Sequence, residues 1–205
     1  AVDLVEKGYI AVCSNYRLTD VAQAPAQLHD VFSAIRFLRE NAFKYGIDPK
    51  KIGVTGSSAG GYLAVMAAVF DSGDKRTRPN AAVGIGAQTD LLSPHIQNST
   101  VLNWSKFMGG FYHQVPQKYL KQSPINYLTK DDPPIALICG EYDKPSTRAN
   151  AFRKKASQLG VPTGLTEISG APHGLLKASK HRSIAVSVLD DFFRAHLGKK
   201  GSNFE

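Results

Sequence analysis

The residue in this chain best placed to do chemistry is Ser58, the centre of Gly56-Ser57-Ser58-Ala59-Gly60. Before it runs Ile52-Gly53-Val54-Thr55, short and β-branched as a fully buried parallel strand should be; after it Leu63, Ala64, Ala67 and Ala68 recur at helical spacing. A serine between such a strand and such a helix fits the G-x-S-x-G corner, in which a sharp, strained turn lifts the hydroxyl clear of the backbone for nucleophilic attack. Gly56 and Gly60 are expected to let strand and helix approach closely, with Gly61 extending that allowance by one residue. The helix N-terminus behind the serine favours developing negative charge. A plain glycine-rich βα turn has the same composition, and the flanking strand and helix are what favour the nucleophile.

A serine hydroxyl needs a base to take its proton and a third group to hold that base in the right tautomer. Of the six histidines, His29 and His196 fall inside helical patterns and His181 starts one, which suits solvated or packed imidazoles. His173 differs. It lies in Gly170-Ala171-Pro172-His173-Gly174, just past the last strand pattern, and so at the same C-terminal edge of a sheet as Ser58. The orienting acid should leave the sheet at that edge too, between Ser58 and His173 in the chain. Asp143 fits best, following Ile135-Ala136-Leu137-Ile138-Cys139 through Gly140-Glu141-Tyr142; Asp90, past the preceding strand, and Glu141 remain alternatives. No HExxH or comparable ligand spacing occurs, so neither a metal nor another cofactor is expected.

The elements that must position these groups alternate. A short helix over residues 1–7 is capped by Gly8, and Tyr9-Ile10-Ala11-Val12-Cys13 reads as a buried strand. Pro25 opens a helix with Leu28, Val31, Phe32, Ile35 and Leu38 on one face, ending near Gly46. Strands follow over residues 52–55, 81–87, 134–140 and 163–168, with helices after the serine corner, over 146–159, and at the C-terminus. That alternation predicts an α/β fold whose parallel sheet is covered by helices on both faces. From 91 to 133 the periodicity fails, predicting a loop or cap excursion whose Trp104, Phe107 and Tyr112 are candidates to line a substrate pocket.

At 205 residues, 42% of them hydrophobic and no linker-like stretch between them, the chain is expected to form one domain spanning 1–205. A net charge of +8 could point to an acidic partner, but the basic residues are scattered, with groups at Lys50-Lys51, 153–155, 177–182 and Lys199-Lys200. No basic stripe with interleaved aromatics appears, which argues against nucleic acid. No apolar run reaches membrane-spanning length. Cys13 and Cys139 lie in apolar strand-like runs without metal or redox spacing and read as buried free thiols, which leaves the compartment unassigned.

Taken together, Tyr16-Arg17-Leu18, GIDPKKIGVTGSSAGG at 46–61, SPINY at 123–127 and Pro172-His173-Gly174 resemble the α/β-hydrolase esterases of the acetyl-esterase/lipase type, including those related to bifunctional acetyl and feruloyl esterases. The resemblance runs through nearly the whole chain and implies Ser58 as nucleophile, Asp143 as acid and His173 as base. It further implies hydrolysis of a small-molecule carboxylic ester, short in the acyl part and carried in some relatives on a carbohydrate. Cys139 stands where the family commonly has histidine. Ala59 N–H would be one oxyanion donor. The second would come from a glycine-rich loop that the family carries, with three further strands, ahead of the helix at 1–7. None of these is found in the sequence, so the sheet is expected to lack its N-terminal strands, and a separate N-terminal segment of the same protein becomes an expected partner. A peptidase or amidase on the same scaffold, and a non-catalytic binding protein derived from it, are the competing functions.

Overall fold

A computed structural model describes residues 1–98 and 102–198; the Lys199-Lys200 pair and residues 99–101 of the excursion lie outside the described residues. Four strands form its sheet: β1 (Gly53–Ser57), β2 (Ala81–Ile85), β3 (Ile135–Gly140) and β4 (Thr163–Ile168). They pair in the order β1-β2-β3-β4, all parallel, with Gly53 opposite Ala81, Ala82 opposite Ile135 and Ile135 opposite Thr163. In chain order the helices are α1 (Val2–Glu6), α2 (Ala26–Glu40), α3 (Ala42–Tyr45), α4 (Ala59–Val69), α5 (Pro94–Gln97), α6 (Leu102–Met108) and α7 (Pro116–Lys121). The last three are α8 (Pro145–Arg148), α9 (Asn150–Gln158) and α10 (Ser179–Leu197).

The period-two alternation of a strand decides which helix each residue meets. Ala81, Val83 and Ile85 of β2, with Ala136 and Ile138 of β3, pack against Ala185, Leu189, Phe193 and Leu197, one face of α10. The residues between them, Ala82, Ile135, Leu137 and Cys139, face Val65, Ala68 and Val69 of α4 and Phe152 and Ala156 of α9. Both faces are therefore covered, and a strand covered on both faces loses its polar positions, which is why β2 and β3 are buried at every residue. Outside α4, Leu28, Phe32 and Ile35 of α2 meet Leu63, Met66 and Ala67 in a second layer.

Two expectations are corrected at the front of the chain. Residues 9–13 do not form a buried strand: they run without strand pairing, Ile10 and Val12 are 58% and 56% exposed, and Cys13 is exposed rather than buried. Nor is β1 fully buried. Gly53 is exposed and the rest of β1 is half-buried, because among the described residues only β2 pairs with it. Between residues 9–14 and β1 lies a cleft of about 840 Å³, walled also by Ile35, Leu38, Leu63 and Phe193. Strand-forming composition is satisfied only when a neighbour supplies the other half of each hydrogen bond, and neither segment has that neighbour on the cleft side. The segment is instead pinned at its ends. Tyr9 Oη donates to Asp190 Oδ1 of α10 at 2.8 Å and its ring meets Phe193 edge-on, while Arg17 grips Asp30 of α2 through Nε and Nη2.

The excursion over 91–133 is not a continuous loop but a chain of short helical pieces, α5 to α7 and a 3₁₀ turn at Pro124–Asn126. None is long enough to show a helical period in the sequence, and the buried side chains Leu91, Ile96, Met108 and Tyr119 attach them to the α2–α4 layer.

Candidate active site

Ser58 follows β1 directly and caps α4 with φ 56° and ψ −114°, a conformation that an L-residue other than glycine holds at a cost of about 1–3 kcal/mol. Surrounding structure over-determines it. Its N–H donates to Ile85 O at 2.8 Å, its carbonyl accepts from Tyr62 N at 2.9 Å, and the corner closes so tightly that a Cβ on Gly56 would sit 2.5 Å from the Gly60 carbonyl carbon. A Cβ on Gly61 would come within 2.7 Å of Ile85 O. Gly60 differs in part from the sequence expectation: its backbone is what Gly56 approaches, but a Cβ on Gly60 itself would meet nothing within 4 Å, so the positions that exclude a side chain are Gly56 and Gly61. The side chain of Ser58 is left exposed at the C-terminal edge of the sheet.

Asp143 and His173 reach the same edge from the loops that follow β3 and β4. Ser58 Oγ lies 2.8 Å from His173 Nε2, and His173 Nδ1 lies 2.7 Å from Asp143 Oδ2, one continuous hydrogen-bonded chain. Their exposure is graded along it: the Asp143 side chain is 2% exposed and that of His173 42%. A buried carboxylate beside a partly open imidazole holds the ring from behind and leaves Nε2 facing outward.

Further contacts hold the two loops in place. Glu141 accepts from Gly170 N at 2.7 Å and from Ser169 Oγ at 3.1 Å, and these bonds keep its carboxyl below the usual range. It ties the His173 loop to the Asp143 loop and does not touch the imidazole-facing side of the chain. Asp90, the other alternative acid, accepts from Leu92 N at 2.9 Å and lies near Ser123 Oγ, closing a local turn. Burial, and then the charge of Asp143, push the Cys139 thiol up to about 12, so it stays protonated.

Sequence reading passed over Gly86 and Arg148. Gly86, just after β2, has φ 60°, and a Cβ on it would come within 3.0 Å of Asp143 Oδ2 and 3.2 Å of the His173 ring, so the chain passes the dyad where only glycine fits. Arg148 forms an ion pair with Asp143, its Nε 2.8 Å from Oδ1, and donates from Nε to the Asp143 main-chain carbonyl at 2.9 Å. The signal available for it was Lys144-Pro145, a helix start that turns the chain back on itself, with Lys144 at φ 53°.

Trp104 and Phe107 of α6 stand edge-on to Tyr62, each with ring centroids 5.7 Å from it, and Tyr112 stands edge-on to Tyr119 at 5.5 Å. All three rings are half-buried against the α2–α4 layer, and Tyr62 lies one helical turn beyond Ser58. Among the described residues no group of three or more His, Cys, Asp or Glu side chains is arranged to hold a metal ion, and no helix is long and apolar enough to cross a membrane.

The model of the BD-FAE family matches residues 1–155. Esterase LipQ of Mycobacterium tuberculosis is 31% identical over 213 residues, covering 96% of this chain and 50% of the relative, so the chain spans about half the length of that protein. Among solved structures, a truncated form of a carbohydrate esterase from gut microbiota superposes with a TM-score of 0.76 at 25% identity, covering 89% of this chain and 72% of the other. An acetyl ester-xyloside bifunctional hydrolase from Caldicellulosiruptor lactoaceticus gives a TM-score of 0.72 at 27% identity, over 88% and 69% of the two chains. With a family model running from Ala1 past both Ser58 and Asp143, on a parallel sheet that solved esterases share, the chain belongs to the BD-FAE family of α/β-hydrolases.

Proposed function

We propose that the protein containing this chain hydrolyses carboxylic esters through an acyl-serine intermediate, with Ser58 as nucleophile, His173 as general base and Asp143 as the orienting acid. The observation that carries this is the unbroken chain Ser58 Oγ, His173 Nε2, His173 Nδ1, Asp143 Oδ2 at 2.8 and 2.7 Å. Ser58 Oγ attacks the ester carbonyl carbon as Nε2 takes its proton, and the carbonyl electrons move onto oxygen. Collapse of that tetrahedral oxyanion breaks the C–O bond, and the proton on Nε2 passes to the departing alcohol. Water then repeats the sequence on the acyl-serine, releasing the acid. Asp143 holds Nδ1–H throughout and stabilises the imidazolium without taking the proton.

Ala59 N–H stands at the first helical position of α4, where no intrahelical acceptor exists, and serves as one oxyanion donor. A second donor comes from a further segment of the protein, which also pairs with the open edge of β1. Two features support this: the cleft between β1 and residues 9–14, and the buried Thr55 Oγ1 on β1, which has no hydrogen-bond partner among the described residues. The substrate is a short-chain acyl ester, and the acetyl ester-xyloside relative favours a carbohydrate as the alcohol part. Residual faces of Trp104, Phe107 and Tyr112 contact it, beyond their packing on Tyr62 and Tyr119.

A fluorophosphonate probe tests the assignment in the full-length protein. It should label Ser58, and labelling that persists in Ser58→Ala overturns it. Aryl esters of increasing acyl length should give a maximum at short chains; a maximum at long chains contradicts the substrate class. One oxyanion donor contributes about 10²–10³ in kcat, so residues 1–205 expressed alone should turn over at least that much more slowly than the full-length protein.

A further inference from the structure

We propose that Arg148 is a positioning residue for the acid of the site, fixing the plane of the Asp143 carboxylate so that Oδ2 faces His173. This rests on the acyl-serine mechanism above. A carboxylate in a triad has one oxygen for the imidazole and one to spare, and an unheld carboxylate can rotate about its last bond. Here both oxygens have a partner: Oδ2 meets His173 Nδ1 at 2.7 Å and Oδ1 forms an ion pair with Arg148, 2.8 Å from its Nε. The Nε–H itself donates to the backbone carbonyl of Asp143 at 2.9 Å, so the guanidinium is tied to the main chain of the residue whose carboxylate it faces. That geometry fixes the carboxylate relative to its own backbone.

The guanidinium is itself held. Its Nη1 reaches Gly86 O at 3.5 Å, the main-chain carbonyl of Arg148 accepts from Thr89 N at 3.2 Å and from Thr89 Oγ1, and Gln88 Nε2 donates to the neighbouring Thr147 O at 3.0 Å. The loops after β2 and β3 thus meet at this arginine, whose side chain is 21% exposed against 2% for that of Asp143. Electrostatics add to position. The guanidinium places a positive charge against the carboxylate, and the protonated Cys139, on which Glu167 also acts, lies near both. The position is specific to arginine: a lysine ammonium supplies the charge but not a planar fork that serves Asp143 and Gly86 together.

The test compares Arg148→Ala, Arg148→Lys and Thr89→Val in the full-length protein, reading kcat and KM across pH, fluorophosphonate labelling rate and the low-field His173 Nδ1 proton resonance. Arg148→Ala should lower kcat by roughly 10- to 100-fold with KM within about two-fold, the cost of a misplaced catalytic group. It should displace the acid limb of kcat/KM, because a charge beside the dyad is gone, and shift the Nδ1 resonance. Arg148→Lys should restore the limb while kcat stays depressed. Thr89→Val removes the hydroxyl contact that braces the loop and should lower the melting temperature without moving limb or resonance. An Arg148→Ala protein that folds with unchanged kcat and pH profile overturns the proposal, as does a Thr89→Val protein showing the same limb and resonance shifts. Should Arg148→Ala fail to fold, Arg148→Lys with wild-type kcat overturns it as well. Failure of the mechanism itself is separate, since it appears as absence of Ser58 labelling in the unaltered protein.

Discussion

β3 and the strip from residue 9 to 13 are built from similar side chains and end in opposite states. Ile135-Ala136-Leu137-Ile138-Cys139 is paired on both sides and buried throughout; Tyr9-Ile10-Ala11-Val12-Cys13 is extended, unpaired and largely exposed. The difference lies in their neighbours. β2 and β4 pair with β3 on its two edges and let helices close over both faces, whereas the strip looks across a cleft at β1. The chemistry follows the same division. The loops that carry Asp143 and His173 leave β3 and β4 in the closed part of the sheet, while Ser58 leaves β1, whose other edge is open.

The largest test of that division concerns activity. Ser58→Ala or His173→Ala should each remove on the order of 10⁴ or more of kcat in the full-length protein, and the double variant should be scarcely worse, because the chain acts as a unit. Additive losses would mean that the two do not act together. Asp143→Asn should cost about 10⁴ in kcat through the wrong tautomer with KM nearly unchanged, while Asp90→Asn should be mild. The reverse ranking would move the acid to the loop after β2.

Stability sharpens the comparison next. Phe152, fully buried under β3, should cost about 3–5 kcal/mol as Phe152→Ala in urea unfolding. Ile10→Ala should stay within about 0.5 kcal/mol in the 205-residue chain and rise to about 2–5 kcal/mol in the full-length protein, where the proposed segment covers it. Equal small values in both would leave the open edge uncovered.

The smallest effect is at the pin of the front strip. Burial, followed by its hydrogen bond to Asp190, raises the Tyr9 phenol from its ordinary 10.0 to about 12. The folded value lies above the unfolded one, so this contribution is complete below pH 10 and is lost as pH rises through about 12. Tyr9→Phe should therefore flatten the urea midpoint between those values, and an unchanged alkaline slope would show that Tyr9 does not hold the strip.

Much of the site was legible because its constraints are local. A serine in a tight strand-to-helix corner requires small residues at fixed offsets, and helix-spaced Leu28, Phe32 and Ile35 mark the buried face of α2 without reference to anything distant. The order of acid and base along the chain came from the kind of site that a G-x-S-x-G corner marks, and their shared edge from a parallel sheet, whose loops after each strand emerge on one side. The short helices of the excursion were not legible, since four to seven residues are too few to show a period and contacts with α2 and α4 hold them in place.

The sequence by itself determined the alternation of strands and helices, the corner at Ser58 and the positions of Asp143 and His173 past strand ends. Only the tertiary structure decided which residues meet. It placed Gly86 against the dyad, brought Arg148 to the spare oxygen of Asp143, put the positions with no room for a Cβ at Gly56 and Gly61, and left residues 9–13 without a strand partner among the described residues. Propensity and periodicity depend on a residue and its near neighbours, whereas a hydrogen bond between loops or across a sheet depends on a second segment whose position no local pattern encodes.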